Sequence, residues 1–241
     1  MGRIRDPNRQ AGLGYACLGN SLHPIWPHRP VLVAKQWPPD YHIGKIACQK
    51  EALMLEPTDL PGVQIITPRV FADNRGAFSE TYNQDTLAAL GIDTVFVQDN
   101  QSWSRDAGTI RGLHFQAPPS AQAKLVRVLV GEIWDVAVDI RAGSPTYGKW
   151  TGVTLSASNN RQLLIPAGFL HGFVTRVPDC LVAYKCSATY APACEGAVRF
   201  DDPDLAIDWG IPAADAVLSD KDAAAGSFAD LKTPFTYEAS A

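Results

Sequence analysis

No apolar run in this 241-residue chain approaches the roughly 18 residues that a membrane helix needs. The start lacks a secretory core as well: after Met1-Gly2-Arg3 the segment is polar and broken by proline and glycine. The expectation is a cytoplasmic protein with no membrane partner. Positive charge is not in excess, since 21 Lys and Arg face 25 Asp and Glu for a formal net charge of −4. Nucleic-acid backbones demand a basic face, so no nucleic-acid partner is expected, although local basic residues suffice for a small phosphorylated ligand. Cysteine is sparse and odd in number, with Cys17, Cys48, Cys180, Cys186 and Cys194 and no C-x-x-C. A chain this long needs no staples, so free thiols in a reducing compartment are expected. Long helical periods are missing too, and that absence directs attention to strands.

The densest strand signal runs from Thr109 to Asp139, TIRGLHFQAPPSAQAKLVRVLVGEIWDVAVDI. Short Val, Leu and Ile runs broken by Pro and Gly read as consecutive β-strands. After Gly131 the alternation sends Trp134, Val136, Val138 and Ile140 to one face and Asp135, Ala137 and Asp139 to the other. His114 and Lys124 are expected on adjoining strands of one sheet, where side chains meet across the pleat. Elsewhere VQIITPRVF, AFSETY, Thr94 to Asn100, KWTGVTLSA, RQLLIPAGF, HGFVTRV and CLVAYKCSATY read as further strands. Asp73-Asn74-Arg75-Gly76, Ser144-Pro145, Ser158-Asn159-Asn160, Pro166-Ala167-Gly168 and Val177-Pro178-Asp179 supply turns. NQDTLAAL, with Asn83 as N-cap and Gly91 as stop, is a short helix, and Asp220 to Ala225 is one helical turn. Many short strands argue an all-β antiparallel sandwich or barrel of the jelly-roll kind.

Residues 1–57 differ, with IWPHRP and QWPPDYH rich in proline and without sustained period. They are expected to form a disordered or spurious leader, followed by one domain over 58–231 and a tail over 232–241. Patterning begins just after Met54, one of only two methionines, which makes Met54 a candidate natural start. His23, His28 and His42 lie in the leader, too widely spaced for ligand geometry.

Within the patterned part only His114 and His171 remain, each inside an apolar strand. A core histidine bonded to a backbone carbonyl is the plain alternative for either. A metal site of two histidines and a carboxylate is the other, although the H-x-H pair common in metal-binding cupins is missing. Lys124, Arg75 and Arg111 read equally as surface charge, and Tyr184 as a core tyrosine that needs a partner for its phenol.

Taken together the segments are more specific. FADNRGAFSETYN, VQDNQS, IRGLHFQ, AQAKLVRVLVGEIWDVAVDIR, SPTYGKW, LSASNNRQLLIPAGFLHGFVT, YKCSATYAPACEGAVRFDDPDLAIDW and LSDKDAA resemble, in order, the dTDP-4-dehydrorhamnose 3,5-epimerases from about Gly62 to Leu231. The resemblance implies a cupin-like jelly roll, a homodimer, and an epimerase without cofactor or metal that acts on a nucleotide-linked 4-keto-6-deoxy sugar. It also implies His114 as catalytic base, Tyr184 as proton donor, Lys124 facing the sugar carbonyl and Asp222 paired with His114. Arg75, Glu80, Gln98, Asn100, Arg111, His171, Glu195 and Lys221 match the substrate-binding positions. One departure is Gln101, where the family commonly has histidine after Gln-Asp-Asn.

Elementary chemistry agrees with those roles. A proton beside a ketone becomes removable when the developing enolate oxygen meets preorganised charge, which a lysine supplies. A neutral imidazole suits the base near pH 7, and a carboxylate on its other nitrogen fixes the tautomer. Inversion requires protonation from the opposite face, so a second group is needed across the ring. The ketone acidifies both neighbouring carbons, so no redox cofactor is required. Guanidinium groups bind diphosphate oxygens bidentately, which suits Arg75 and Arg111, and Tyr190 could stack on a base or sugar. Arg111 and His114 have opposite strand parity, and a bulge at Gly112 would bring both to one pocket. The rivals are a single-carbon epimerase or ketoisomerase of another deoxysugar, a silent nucleotide-sugar-binding cupin, and a metal-dependent cupin.

Overall fold

The computed structural model describes residues 53–238. Most of the expected leader, with its three histidines, Cys17 and Cys48, lies outside the described residues, but its last residues do not. Met54–Pro57 (β1) pairs antiparallel with Gln64–Thr67 (β2), so these last residues of the expected leader belong to the sheet. Phe71–Asp73 (β3) and Gly76–Phe78 (β4) form a two-stranded hairpin around the predicted turn. Gln84–Ala88 (α1) follows, capped by the Asn83 side chain, which accepts from the backbone N–H groups of Asp85 and Thr86.

The remaining strands are Gln98–Ser104 (β5), Ile110–Gln116 (β6), Lys124–Val130 (β7), Glu132–Asp139 (β8), Trp150–Ser156 (β9), Gln162–Ile165 (β10), Phe169–Thr175 (β11), Cys180–Cys186 (β12) and Glu195–Ala197 (β13). They build two facing sheets, ordered β1-β2-β10-β7-β12-β5 and β13-β6-β11-β8-β9, the expected antiparallel sandwich. The strand foreseen over Thr94 to Asn100 begins only at Gln98 and runs on to Ser104.

One sequence-based placement is overturned. His114 on β6 and Lys124 on β7 lie in different sheets, so they face each other across the sandwich. The chain crosses between sheets twice here, through residues 117–123 and again at Gly131, and strand periodicity carries no information about which sheet a strand joins.

Three apolar clusters hold the fold. Val126, Val128, Leu163 and Val182 of the first sheet pack between the layers against Ile133, Ala137, Leu155, Phe169 and Phe173 of the second. On the outer face of the second sheet Leu113, Val136, Val138, Leu170 and Val174 are covered by Val198, Phe200, Leu205 and Trp209. This double coverage explains why every residue of β11 is buried. Leu87 of α1 closes the third cluster with Ile66, Leu125 and Leu164.

The residues expected as a tail pack as well. Phe235 meets the Phe115 ring edge-on, and Ala142 exchanges backbone hydrogen bonds of 2.9 Å with Phe235 and Tyr237. Arg141 lies between the Phe169 and Tyr237 rings, at 4.4 and 4.9 Å, and donates to Asp139 at 2.9 and 2.6 Å. Ser144 and Thr146 donate to the same carboxylate at 2.6 and 2.7 Å. Burial pushes the Asp139 pKa up, but these donors outweigh it and hold it at about 2.

Among the described residues, Cys180, Cys186 and Cys194 are free thiols, and no helix is long and apolar enough to cross a membrane.

Because its pKa is depressed, Asp139 contributes stability that is fully present above about pH 4 and is lost as the pH falls toward its folded value. Asp139→Ala should therefore cost about 3 kcal/mol near neutrality, the scale of a broken buried ion pair. The variant should also lose that part of the acid dependence in urea titrations at stepped pH.

Candidate active site

The site begins with an irregularity in β6. Opposite β11, His114 pairs with His171 and Arg111 with Phe173, so three steps on β6 match two on β11. The extra residue is absorbed at Gly112, whose φ of +134° favours glycine. A Cβ there would stand 2.5 Å from the Gly172 Cα and 2.8 Å from the His171 carbonyl oxygen. The bulge turns both Arg111 and His114 toward the gap between the sheets, as the parity argument required.

A cavity of about 210 Å³ in that gap is lined by Arg111, His114, Lys124, His171, Tyr184, Lys221 and Asp222, among others. An adjoining hollow of about 100 Å³ shares His114, Lys124 and Tyr184 and adds Gln98, Asn100, Gln116, Tyr190 and Glu195. Ten of the twelve residues singled out from the sequence therefore converge. A larger hollow of about 310 Å³ is lined by Gln101, Arg127 and Lys185 on the outer face of the first sheet. It lacks a comparable cluster of proton-transfer groups, so the inner pair of cavities is the candidate site. Gln101 alternates with Asn100 and points into that outer hollow, so the departure at this position falls away from the inner site.

The partners of each group follow from the sheets. His114 Nε2 lies 2.6 Å from an Asp222 carboxylate oxygen. Asp222 sits in the single turn Asp220–Ala223 (α2), whose Ser219 cap accepts from the Asp222 backbone N–H at 3.1 Å. Burial would raise Asp222, but hydrogen bonds from His114, Ser219 and the Gly112 backbone hold its pKa below the usual range. The bulge glycine thus helps seat the carboxylate that orients the histidine.

Tyr184 comes from β12, in the sheet facing His114. Burial and nearby Cys186 push its phenol pKa up, against the opposing pull of Asn100 and Arg111, so it remains a proton donor at neutral pH. Lys124 is lowered by burial, with Cys186, Asp135 and Glu195 pulling the other way. Its Nζ lies 3.4 Å from His171 Nδ1, and His171 Nε2 lies 2.6 Å from Asp135.

At the mouth, Arg111 donates to the Ser104 hydroxyl at 3.1 Å and the Trp103 carbonyl at 3.0 Å, bridging the sheets. Lys221 and Glu195 pair at 2.5 Å, and the Tyr190 hydroxyl donates to Glu195 at 2.9 Å. Gln98 donates to Asn100 at 3.0 Å and accepts the Tyr190 backbone N–H at 2.9 Å.

Two expected residues stand apart. Arg75 is 85 % exposed and bonded to Asp73 within its own turn. Glu80 accepts from Asn83 and Thr86 at 3.1 and 3.4 Å. Neither lines the inner cavities of its own chain. One residue escaped sequence reasoning, the fully buried Asp135. Its signal was present: a carboxylate at an inward position of an apolar strand requires a partner. Among the described residues, no group of three His, Cys, Asp or Glu side chains is arranged to hold a metal ion.

Residues 57–230 match the family model described as dTDP-4-dehydrorhamnose 3,5-epimerase. The Salmonella typhimurium dTDP-4-dehydrorhamnose 3,5-epimerase is 51% identical over 169 residues, spanning 70% of this chain and 91% of that protein. The crystal structure of a Legionella pneumophila dTDP-6-deoxy-D-glucose-3,5-epimerase in complex with dTDP-4-keto-L-rhamnose is similar with a TM-score of 0.74 and 44% identity, covering 78% of this chain and all of that one, 100%. A 3'-monoepimerase from Streptomyces bikiniensis, solved in complex with dTDP-quinovose, is similar at TM-score 0.67 and 35% identity, over 72% of this chain and 87% of that one.

The Gly112 pinch carries a direct prediction. Gly112→Ala should lower stability by about 1–3 kcal/mol through overpacking, read from urea unfolding. A crystal structure of the variant should show the His114–Asp222 hydrogen bond broken or displaced.

Proposed function

The chain belongs to the dTDP-4-dehydrorhamnose 3,5-epimerase family, and from that membership we propose how its own residues carry the reaction. The enzyme converts dTDP-4-dehydro-6-deoxy-D-glucose to dTDP-4-dehydro-L-rhamnose by inverting carbons 3 and 5, on either side of the 4-keto group. The observation that carries the assignment of roles is the placement of His114 and Tyr184 on facing sheets around one cavity. A sugar ring between them is approached from both faces.

With Asp222 on Nε2, His114 presents Nδ1 as the base. It takes the proton from the carbon beside the ketone, and the electron pair moves onto the carbonyl oxygen as an enolate. Lys124, as an ammonium, stabilises that oxygen where the charge develops. Tyr184 then protonates the carbon from the other face, and solvent resets both groups before the second centre reacts. Arg111 and Lys221 at the mouth suit the diphosphate, Glu195, Gln98 and Asn100 offer hydrogen bonds to the rest of the nucleotide, and the exposed Tyr190 ring suits stacking on the base.

The reading extends to a homodimer. Arg75 and Glu80 lie outside their own cavity, and the β3–β4 hairpin exposes Phe71 and Phe78. A hairpin reaching the neighbouring copy would bury those rings and bring a guanidinium to the neighbour's diphosphate. The free thiols of Cys180 and Cys186 suit the reducing cytoplasm.

Proton NMR of dTDP-4-dehydro-6-deoxy-D-glucose with the native enzyme in heavy water tests the reaction. Signals at both carbons 3 and 5 should vanish as the inverted product accumulates. Loss at one carbon alone would identify a single-centre epimerase, and no exchange would refute the reading. His114→Ala should lower kcat by about 10²–10⁴ while dTDP binding persists, and near-native turnover would remove His114 as base. Mixing inactive His114→Ala and Arg75→Ala chains should restore activity at low substrate, since one site of each mixed dimer is whole. Failure of complementation with mixed dimers present would remove the hairpin exchange.

A further inference from the structure

His114 and His171 are cross-strand partners on β6 and β11, and each has a carboxylate oxygen 2.6 Å from Nε2. They form two imidazole–carboxylate pairs side by side, yet their second nitrogens meet different surroundings. Among the described residues, no ion pair or hydrogen bond occupies Nδ1 of His114, whereas Nδ1 of His171 faces Lys124 Nζ at 3.4 Å. We propose that Asp135 and His171 are positioning residues for Lys124: the carboxylate fixes the His171 tautomer, and the imidazole lone pair holds the lysine as an ammonium aimed at the ketone oxygen. The inference rests on the epimerase reading and gives His171 a different role from the substrate ligand implied by family resemblance.

The chemistry follows from burial. Asp135 is fully buried, and one of its oxygens has no hydrogen-bond partner among the described residues. The other accepts from Nε2–H of His171. Burial, the largest influence, keeps the His171 pKa below its ordinary value despite Asp135, so the ring is neutral near pH 7 and Nδ1 is an acceptor. A hydrogen bond from Lys124 to that lone pair fixes the direction of the remaining ammonium protons. The Asp135 charge also opposes the desolvation that favours the uncharged amine.

The other groups around Lys124 are Cys186 and Tyr184 from β12, Glu195 from β13, Arg111 and His114 from β6, and Lys221 and Asp222 from α2. Cys186 and Glu195 act in the same sense as Asp135, but only the Asp135 effect passes through a hydrogen-bonded ring. The two pairs thus divide the labour: the Asp222 pair leaves its imidazole free as a base, and the Asp135 pair commits its imidazole to a cation.

The test is Asp135→Asn, which keeps the shape and an acceptor for Nε2–H but removes the charge. The alkaline limb of the kcat–pH profile should move down by a unit or more. On the alkaline side of that limb kcat should fall about tenfold relative to native and recover toward native as the pH is lowered, with KM changed less than twofold. An unchanged profile in a variant that still binds dTDP would overturn the proposal, as would a loss confined to KM. If the variant does not fold, the native enzyme decides by nitrogen-15 NMR of its histidine rings, with His171 assigned by its loss in His171→Asn. The proposal requires the Nε2–H tautomer with an accepting Nδ1 at pH 8, and an Nδ1–H or doubly protonated His171 would overturn it. These outcomes differ from failure of the epimerase reading, in which the native enzyme itself would exchange no protons at carbons 3 and 5.

Discussion

At Gly112 the backbone of β6 comes so near Gly172 on β11 that a single methyl group would fall 2.5 Å from the opposing Cα. That approach makes room for one extra residue in the strand, and the extra residue changes which way everything after it faces. Without it, Arg111 and His114 would point to opposite sides of the sheet. With it, both face the gap between the sheets, and the freed Gly112 N–H supports Asp222. The geometry proposed for catalysis therefore depends on a place where the regular ladder fails.

The surrounding sandwich keeps this irregularity fixed. Apolar clusters on both faces of the second sheet clamp β11, and the outer one also covers Ile110, Leu113 and Phe115 of β6, so the bulge cannot relax by bending outward. The same double burial removes water from the groups that reach inward, which sharpens every electrostatic contrast among them. Lys124 and His171 are driven toward their neutral forms by desolvation, while Tyr184 is driven to keep its proton. Carboxylates stand where these tendencies need opposing or directing: Asp222 behind His114, and Asp135 behind His171.

Much of this was legible in the sequence, and the gaps have physical causes. Strand alternation after Gly131 placed Trp134, Val136 and Val138 opposite Ala137, as the two apolar clusters confirm. Parity also exposed the conflict between Arg111 and His114 and pointed to Gly112. Sheet membership was not legible, because a strand reads the same in either layer, and His114 and Lys124 were consequently placed in one sheet. The end of the chain read as tail because single aromatics such as Phe235 and Tyr237 carry no period, yet they pack against Phe115 and Arg141. Asp135 was assigned to the correct face but not to a role, since its partner lies on a strand more than thirty residues away, 36 by separation. Arg75 and Glu80 gave no local sign that they stand apart from their own cavity.

The central claim is that His114 and Tyr184 act on opposite faces of one sugar ring. The measurement that tests it most directly follows deuterium and configuration together in Tyr184→Phe, by NMR in heavy water. With the base intact and the opposite-face donor removed, His114 can return a deuteron only to the face from which it took the proton. The account predicts deuterium entering at the carbons beside the ketone with their configuration retained, and little inverted product. Inversion at the native rate, or exchange and inversion lost in equal measure, would contradict it.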